Sequence, residues 1–252
     1  MGGRRRAKRA TWAILAMVGM LATTTASAQT PAQGAVPIPV VLYDGALGGT
    51  PNNQQMVFAG FGSQSASNGA TTFDTTAANA FQGGYTAEAG FTPTLDAAVG
   101  YRLRFRVQVQ SEAHTSDHRA GFSVILLGAN QRGIELGFWS DRIWAQADGI
   151  AGDGSLFTQA EGVAVDTTVM QTYDLAIKDS TYTLEQDGAI LLTGRVRDYR
   201  AFSGTFDVYE TPNFIFLGDN TTSAQATIRL ASVVFNPAYQ AMLPLVIGGT
   251  TN

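Results

Sequence analysis

Cysteine is absent from all 252 residues. This excludes disulfides, thiolate metal sites, cysteine nucleophiles and the modified cysteine of a lipoprotein anchor. Histidine occurs twice, and Lys178 is the only lysine after residue 28. Positive charge is scarce in the body and crowded at the start. Arg4, Arg5, Arg6, Lys8 and Arg9 are five of the 16 basic residues, and all 20 acidic residues come later. The formal net charge of −4 therefore averages two unlike pieces: beyond Ala28, 11 basic residues stand against 20 acidic ones, a net of −9. So acidic a body repels phosphate backbones and anionic headgroups, which excludes nucleic acid and the membrane surface as partners. No apolar run approaches the roughly 20 residues of a spanning helix.

What is present begins with an address. Residues 1–28 read as a basic stretch, an apolar stretch from Trp12 to Ala22, and small residues at Ala26-Ser27-Ala28. This is the pattern of a cleaved secretory signal, so the mature chain is expected outside the cell. Residues 29–37 follow as a flexible segment rich in Pro, Ala and Gln. One domain is expected over 38–236, with a tail over 237–252 that is too short to span a bilayer.

Over 38–236 the apolar residues alternate in short segments split by Gly, Asp-Gly, Ser-Asp and Asp-Ser, the signature of an all-β sandwich or barrel. In 101–111, Tyr101, Leu103, Phe105, Val107 and Val109 point one way, and Arg102, Arg104, Arg106, Gln108 and Gln110 the other. Further strands are expected over 38–43, 119–127, 132–139, 142–147, 173–177, 182–184, 190–192, 213–217 and 225–235. Asp187-Gly188 marks a hairpin, because both central residues of a type I′ turn need positive φ. The segment 197–202 is expected to form one helical turn.

The wording of three strands carries a resemblance: Ala120-Gly121-Phe122-Ser123-Val124-Ile125-Leu126, Gly133-Ile134-Glu135-Leu136-Gly137-Phe138-Trp139 and Phe216-Leu217-Gly218-Asp219. Over about 40–236 the chain resembles bacterial secreted modules with the concanavalin A-like, or laminin-G-like, jelly roll. The resemblance implies two curved antiparallel sheets, with a concave face often used to bind sugar. Glycosidases, lyases, lectins and adhesive domains all occur on this fold, so it does not choose among them.

The hairpin 134–147 offers the best local candidate. A turn at Ser140-Asp141 pairs Trp139 with Arg142, Gly137 with Trp144 and Glu135 with Gln146. Alternation then places Ile134, Leu136, Phe138, Ile143, Ala145 and Ala147 in the core. Glu135, Trp139, Arg142, Trp144 and Gln146 share the other face. Flat rings beside a carboxylate, a guanidinium and an amide are the mixture a saccharide site needs, with Gly137 leaving space above the sheet. The same rings would equally serve as a cross-strand pair covering the hairpin. Arg104, Arg106, Gln108 and His114 would border that surface, where arginines in a row can clamp uronate carboxylates. Their alternative role is pairing with acids on neighbouring strands.

Other chemistry is poorly supported. His114 and His118 have His-x-x-x-His spacing but sit on an expected loop, where the two rings do not share a helix face. A retaining glycosidase needs two carboxyl groups about 5–5.5 Å apart. In the related strand pattern Glu-x-Asp-x-x-Glu, Glu135 is followed here by Gly137 and Trp139. Lyase parts exist (His114, Gln108 or Gln110, Arg104 or Arg106, and Tyr199 or Tyr209), but no motif links them. Asp44 and Asp219-Asn220 would meet if first and last strands pair, which is where some jelly rolls hold a structural calcium. Two carboxylates fall short of the 6–8 oxygens calcium takes, and Asx turns explain them as well. No cofactor is expected. The leading expectation is a secreted, non-catalytic β-sandwich binding glycan or a matrix component. The alternatives are a carbohydrate-active enzyme, a lyase before a hydrolase, and a purely structural adhesion domain.

Overall fold

A computed structural model describes residues 38–237, apart from positions 79, 93, 151, 153 and 206. The expected signal segment, the 29–37 stretch and the tail from 238 onward lie outside the described residues.

The described chain is an all-β jelly-roll sandwich of two antiparallel sheets. The first sheet holds eight strands: β1 (Val40–Asp44), β3 (Ser63–Ser67), β4 (Ala70–Asp74), β6 (Tyr101–His114), β11 (Gln171–Lys178), β12 (Thr181–Gln186), β13 (Ala189–Arg195) and β15 (Ala224–Asn236). The second holds seven: β2 (Met56–Gly60), β5 (Gly83–Ala87), β7 (Phe122–Leu127), β8 (Gly133–Phe138), β9 (Arg142–Gln146), β10 (Gln159–Ala164) and β14 (Phe214–Asp219). Its order is β10-β9-β8-β7-β14-β5-β2. No helix among the described residues is long and apolar enough to cross a membrane.

Alternation in β6 explains the centre of the first sheet. Tyr101, Leu103, Phe105, Val107 and Val109 are all buried, and they pack against Phe122, Val124, Ile134, Leu136 and Phe138 of the facing sheet. The β12–β13 connection turns at Asp187 (φ 50°) and Gly188 (φ 81°), the two positive values a type I′ turn needs. Beyond Val109 the pairing of β6 with β15 shifts by one residue: Val109 faces Ile228 and Ser111 faces Thr227. This bulge reverses the alternation, so Glu112 and His114 no longer share the outer face of Arg104 and Arg106.

Two expectations need correction. Arg104, Arg106 and Gln108 do not border the β8–β9 hairpin, because they lie on the outer face of the other sheet. Arg104 makes two 2.9 Å hydrogen bonds to Asp174, directly opposite it on β11. Gln108 donates to the Thr168 carbonyl at 2.8 Å, and exposed Arg106 pairs across the strands with Thr172. Cross-strand pairing with acidic neighbours is what the first two arginines do, since Arg102 also reaches Asp174 at 3.6 Å. The segment 197–202 is not a helical turn throughout. Arg197 exchanges backbone hydrogen bonds with Gly133, and a single tight turn then closes from Phe202 N–H to the Tyr199 carbonyl.

β7 is buried on both faces. Val124 and Leu126 enter the sandwich core. Ile125 and Leu127 join a second apolar cluster on the opposite face, with Tyr199 and Tyr209 buried in it and Phe157, Phe202, Phe214 and Phe216 packed around it. The connections 147–158 and 196–213 are thereby folded over the outer face of the seven-stranded sheet.

Candidate functional site

β8 and β9 pair in the expected register, with Gly137 opposite Trp144 and Phe138 opposite Ile143. Glu135, Trp139, Arg142, Trp144 and Gln146 do come together, but not as an open platform. Glu135, Trp144 and Gln146 are fully buried, each 0% exposed. The expected space above Gly137 is filled by the Trp144 indole: a Cβ on Gly137 would sit 2.6 Å from its Cζ2. Trp139 meets Trp144 edge-on, with centroids 4.7 Å apart, and stacks on His114 at 4.0 Å with 5° between planes. Arg142 donates to Gln159 Oε1 at 2.9 Å.

The cover is the loop 115–121. Three side chains donate to its main-chain oxygens: Gln159 to Asp117 (2.8 Å), Gln146 to His118 (2.9 Å) and Trp139 Nε1 to Arg119 (3.0 Å). This is the covering role for the tryptophans, and it corrects the reading of them as exposed sugar platforms. His114 bonds to Glu112 at 2.6 Å, and among the described residues no group of three or more His, Asp or Glu is placed to hold a metal ion. Asp44 and Asp219 do not share a site. Each accepts from a backbone N–H two residues on, Ala46 and Thr221 respectively, as Asx turns do.

Arg119 ends the loop and enters a buried polar cluster. Its guanidinium lies 4.7 Å over the Phe157 ring, 3.4 Å from Glu135 Oε1 and 3.2 Å from Asn220 Oδ1. Tyr209 donates to Glu135 Oε2 at 2.5 Å, and Asn220 Nδ2 donates to Oε1 at 3.0 Å. The Tyr199 hydroxyl accepts from Glu135 N–H at 3.1 Å and donates to the Gln146 carbonyl at 2.8 Å. Burial, and then the nearby Glu135 carboxylate, push Tyr209 well above the usual phenol value. Asp219 sits between the sheets, accepting from Thr75 Oγ1 at 2.7 Å, and burial pushes its carboxyl up to about 7.

Past this cluster the outer face of the seven-stranded sheet opens into a pocket of about 530 Å³. Phe61, Phe157, Phe202, Phe214 and Phe216 supply rings to its floor and walls, and Ile125 lies between them. Arg119, Asp219, Asn220 and Thr222 line it as well, as do Gln82, Thr86 and Thr205. Its size and its apolar lining with a few convergent polar groups are those of a small-molecule site. None of the expected hairpin residues lines it. Of the lyase parts only Tyr209 reaches it, because Arg104, Arg106 and Gln108 belong to the opposite face of the molecule. Some of the missed residues, Phe157, Phe202 and Tyr209, come from irregular connections, and others, Ile125, Phe214 and Phe216, are outward residues of β7 and β14. Their one signal in the sequence is the aromatic density of 199–216 (Tyr199, Phe202, Phe206, Tyr209, Phe214, Phe216).

No family model and no curated protein sequence matches this chain. Solved structures do match it in fold. A carbohydrate esterase from the Shiga toxin-encoding bacteriophage phi24B superposes with a TM-score of 0.51 at 12% identity, over 73% of this chain and 90% of that one. The carbohydrate recognition domain of Emp46p gives 0.49 at 9% identity, over 79% and 97%. An alginate lyase of polysaccharide lyase family 7 gives 0.42 at 13%, over 68% and 81%. At such identities the esterase likeness establishes a shared β-sandwich fold and nothing finer.

Proposed function

We propose that the chain is a secreted, non-catalytic β-sandwich of the concanavalin A-like kind that binds glycan, or a glycan-bearing matrix component, outside the cell. The observation that carries this reading is the ring-lined pocket, with polar side chains among its lining, on the outer face of the seven-stranded sheet. Aromatic faces meet the C–H faces of sugars, and side-chain amides and hydroxyls meet their hydroxyl groups. The export pattern of residues 1–28 and the acidic body support the extracellular setting.

Binding is favoured over catalysis by the state of the two acids at the pocket, since Asp219 is fully buried and accepts from Thr75 Oγ1 and Thr221 N–H. Glu135 is also fully buried, and its oxygens accept from Tyr209 and Asn220 beside the Arg119 cation. A general acid or base must reach the proton it moves, and both carboxylates are enclosed by their own partners. The test is a glycan array followed by calorimetry with wild type and Phe202→Ala. Binding weakened by the loss of the Phe202 ring, with folding intact, supports the reading. An array without a hit, or binding indifferent to Phe202, overturns it. Ultraviolet-absorbing unsaturated products from uronate polysaccharides would replace it with a lyase.

A further inference from the structure

Four buried polar atoms belong to one patch on the outer side of the seven-stranded sheet. Arg119 Nη1, Ser123 Oγ, Trp144 Nε1 and Gln146 Oε1 are enclosed and have no hydrogen-bond partner among the described residues. Such groups are rare in folded proteins, because burial strips them of their bonds to bulk water. Strand register explains their common location. Ser123 faces Gly137 and Gly137 faces Trp144, all on the side away from the core residues Phe122, Val124, Leu136 and Phe138. Gln146 is the next outward residue of β9 after Trp144. Glu135, the outward neighbour of Gly137 on β8, lies 3.4 Å from the Arg119 guanidinium. Directly opposite residues stand about 5 Å apart at Cβ, so the patch covers two adjacent rows. The Trp144 indole leans over Gly137, with Cε2, the carbon that carries Nε1, 2.8 Å from where a Cβ would be. Loop 115–121 closes the patch from above, held by Trp139, Gln146 and Gln159.

The bonding capacities of the four atoms select the ligand. The indole and guanidinium nitrogens only donate, and a serine hydroxyl donates or accepts. The Gln146 oxygen only accepts, its amide nitrogen being committed to the His118 carbonyl at 2.9 Å. An anion here would meet the Gln146 oxygen and the Glu135 carboxylate. A cation would meet the guanidinium and the indole N–H. We propose that the patch is a buried water site, in which one molecule accepts from Trp144 Nε1 and Arg119 Nη1 and donates to Gln146 Oε1 and Ser123 Oγ. Buried water of this kind makes about three hydrogen bonds to polar groups that the fold leaves unsatisfied, and it is part of the structure. It completes the bonding of Arg119, whose Nη2 faces Glu135 and Asn220 at the ring-lined pocket. The site is independent of what that pocket binds.

The test is a high-resolution crystal structure of the full chain grown in sodium bromide, with Ser123→Val beside wild type. Valine removes the hydroxyl and fills the patch with methyl groups. The expected result in wild type is one water peak within about 3.2 Å of at least three of the four atoms, without anomalous bromide signal. Ser123→Val should lose the peak at an unchanged backbone. In solution, magnetic relaxation dispersion of the water oxygen should count one long-lived internal water fewer in the variant. Side chains that bond one another directly, with no peak between them, overturn the proposal. Bromide at the position replaces water with an anion and overturns it too. Equal counts of long-lived water in the two proteins overturn the role of Ser123. Should Ser123→Val fail to fold, the wild-type density decides by itself.

Discussion

The Tyr209 hydroxyl and Glu135 Oε2 are 2.5 Å apart, and neither residue is more than 3% exposed. Glu135 comes from strand β8 and Tyr209 from the connection before β14, so the bond fastens that connection to the sheet. A hydrogen bond to a charged group contributes about 1.5–3 kcal/mol. Tyr209→Phe should therefore lower stability by about that amount, read as a lower denaturant midpoint with an unchanged slope. A midpoint equal to wild type would show that the bond contributes nothing.

Asp219 gives the protein a pH dependence of defined sign. Its folded-state carboxyl is raised from 3.8 to about 7, chiefly by burial. A raised value means the folded state holds its proton more tightly than the unfolded chain. The associated stability is fully present below about pH 4 and is lost as pH rises to about 7, a span on the order of 4 kcal/mol. Asp219→Asn should flatten the melting-temperature profile across that window and be more stable than wild type at pH 8. Parallel profiles for the two proteins would contradict the assignment.

Trp144 and Gly137 form one packing unit. Trp144→Ala removes a fully buried indole and should cost about 3–5 kcal/mol. Gly137→Ala inserts a methyl 2.6 Å from that indole and should cost about 1–3 kcal/mol. Neither residue lines the pocket, so any folded fraction should bind glycan as wild type does. Chemical denaturation together with calorimetry checks both halves.

The Arg104–Asp174 pair should matter little. Its geometry is bidentate, but the Arg104 side chain is 50% exposed, and such pairs contribute about 0–1 kcal/mol and weaken with salt. Arg104→Ala should shift the melting temperature only slightly, and less still in high salt. It should leave glycan affinity untouched, because β6 presents this residue on the face away from the pocket.

The sequence was legible where the pleat shows in it. β6, β8, β9 and β15 alternate or end in recognisable turns, and their registers follow from that. β2, β3 and β5 escaped because Gly60, Gly83, Gly84 and the serines of β3 carry no apolar period. Gly60 is required for another reason: at φ 93°, a Cβ there would fall 2.1 Å from the Gln82 carbonyl oxygen. Alternation placed Trp144 and Glu135 correctly on the outer face of β8 and β9. It says which side a residue takes, not what lies over it, and the loop 115–121 was the unseen layer. The pocket was illegible for the same reason, since Phe157, Phe202 and Tyr209 reach it from irregular chain that only tertiary packing positions.

The way that loop is fastened has a consequence for variation. Gln146, Gln159 and Trp139 grip it through main-chain oxygens, while the Asp117 and His118 side chains project to solvent. Shape is thereby uncoupled from residue identity. Exchanges at 117 and 118 alter what the surface displays without loosening its attachment, which makes this short span a place where new surface chemistry can be tried at small cost to the fold.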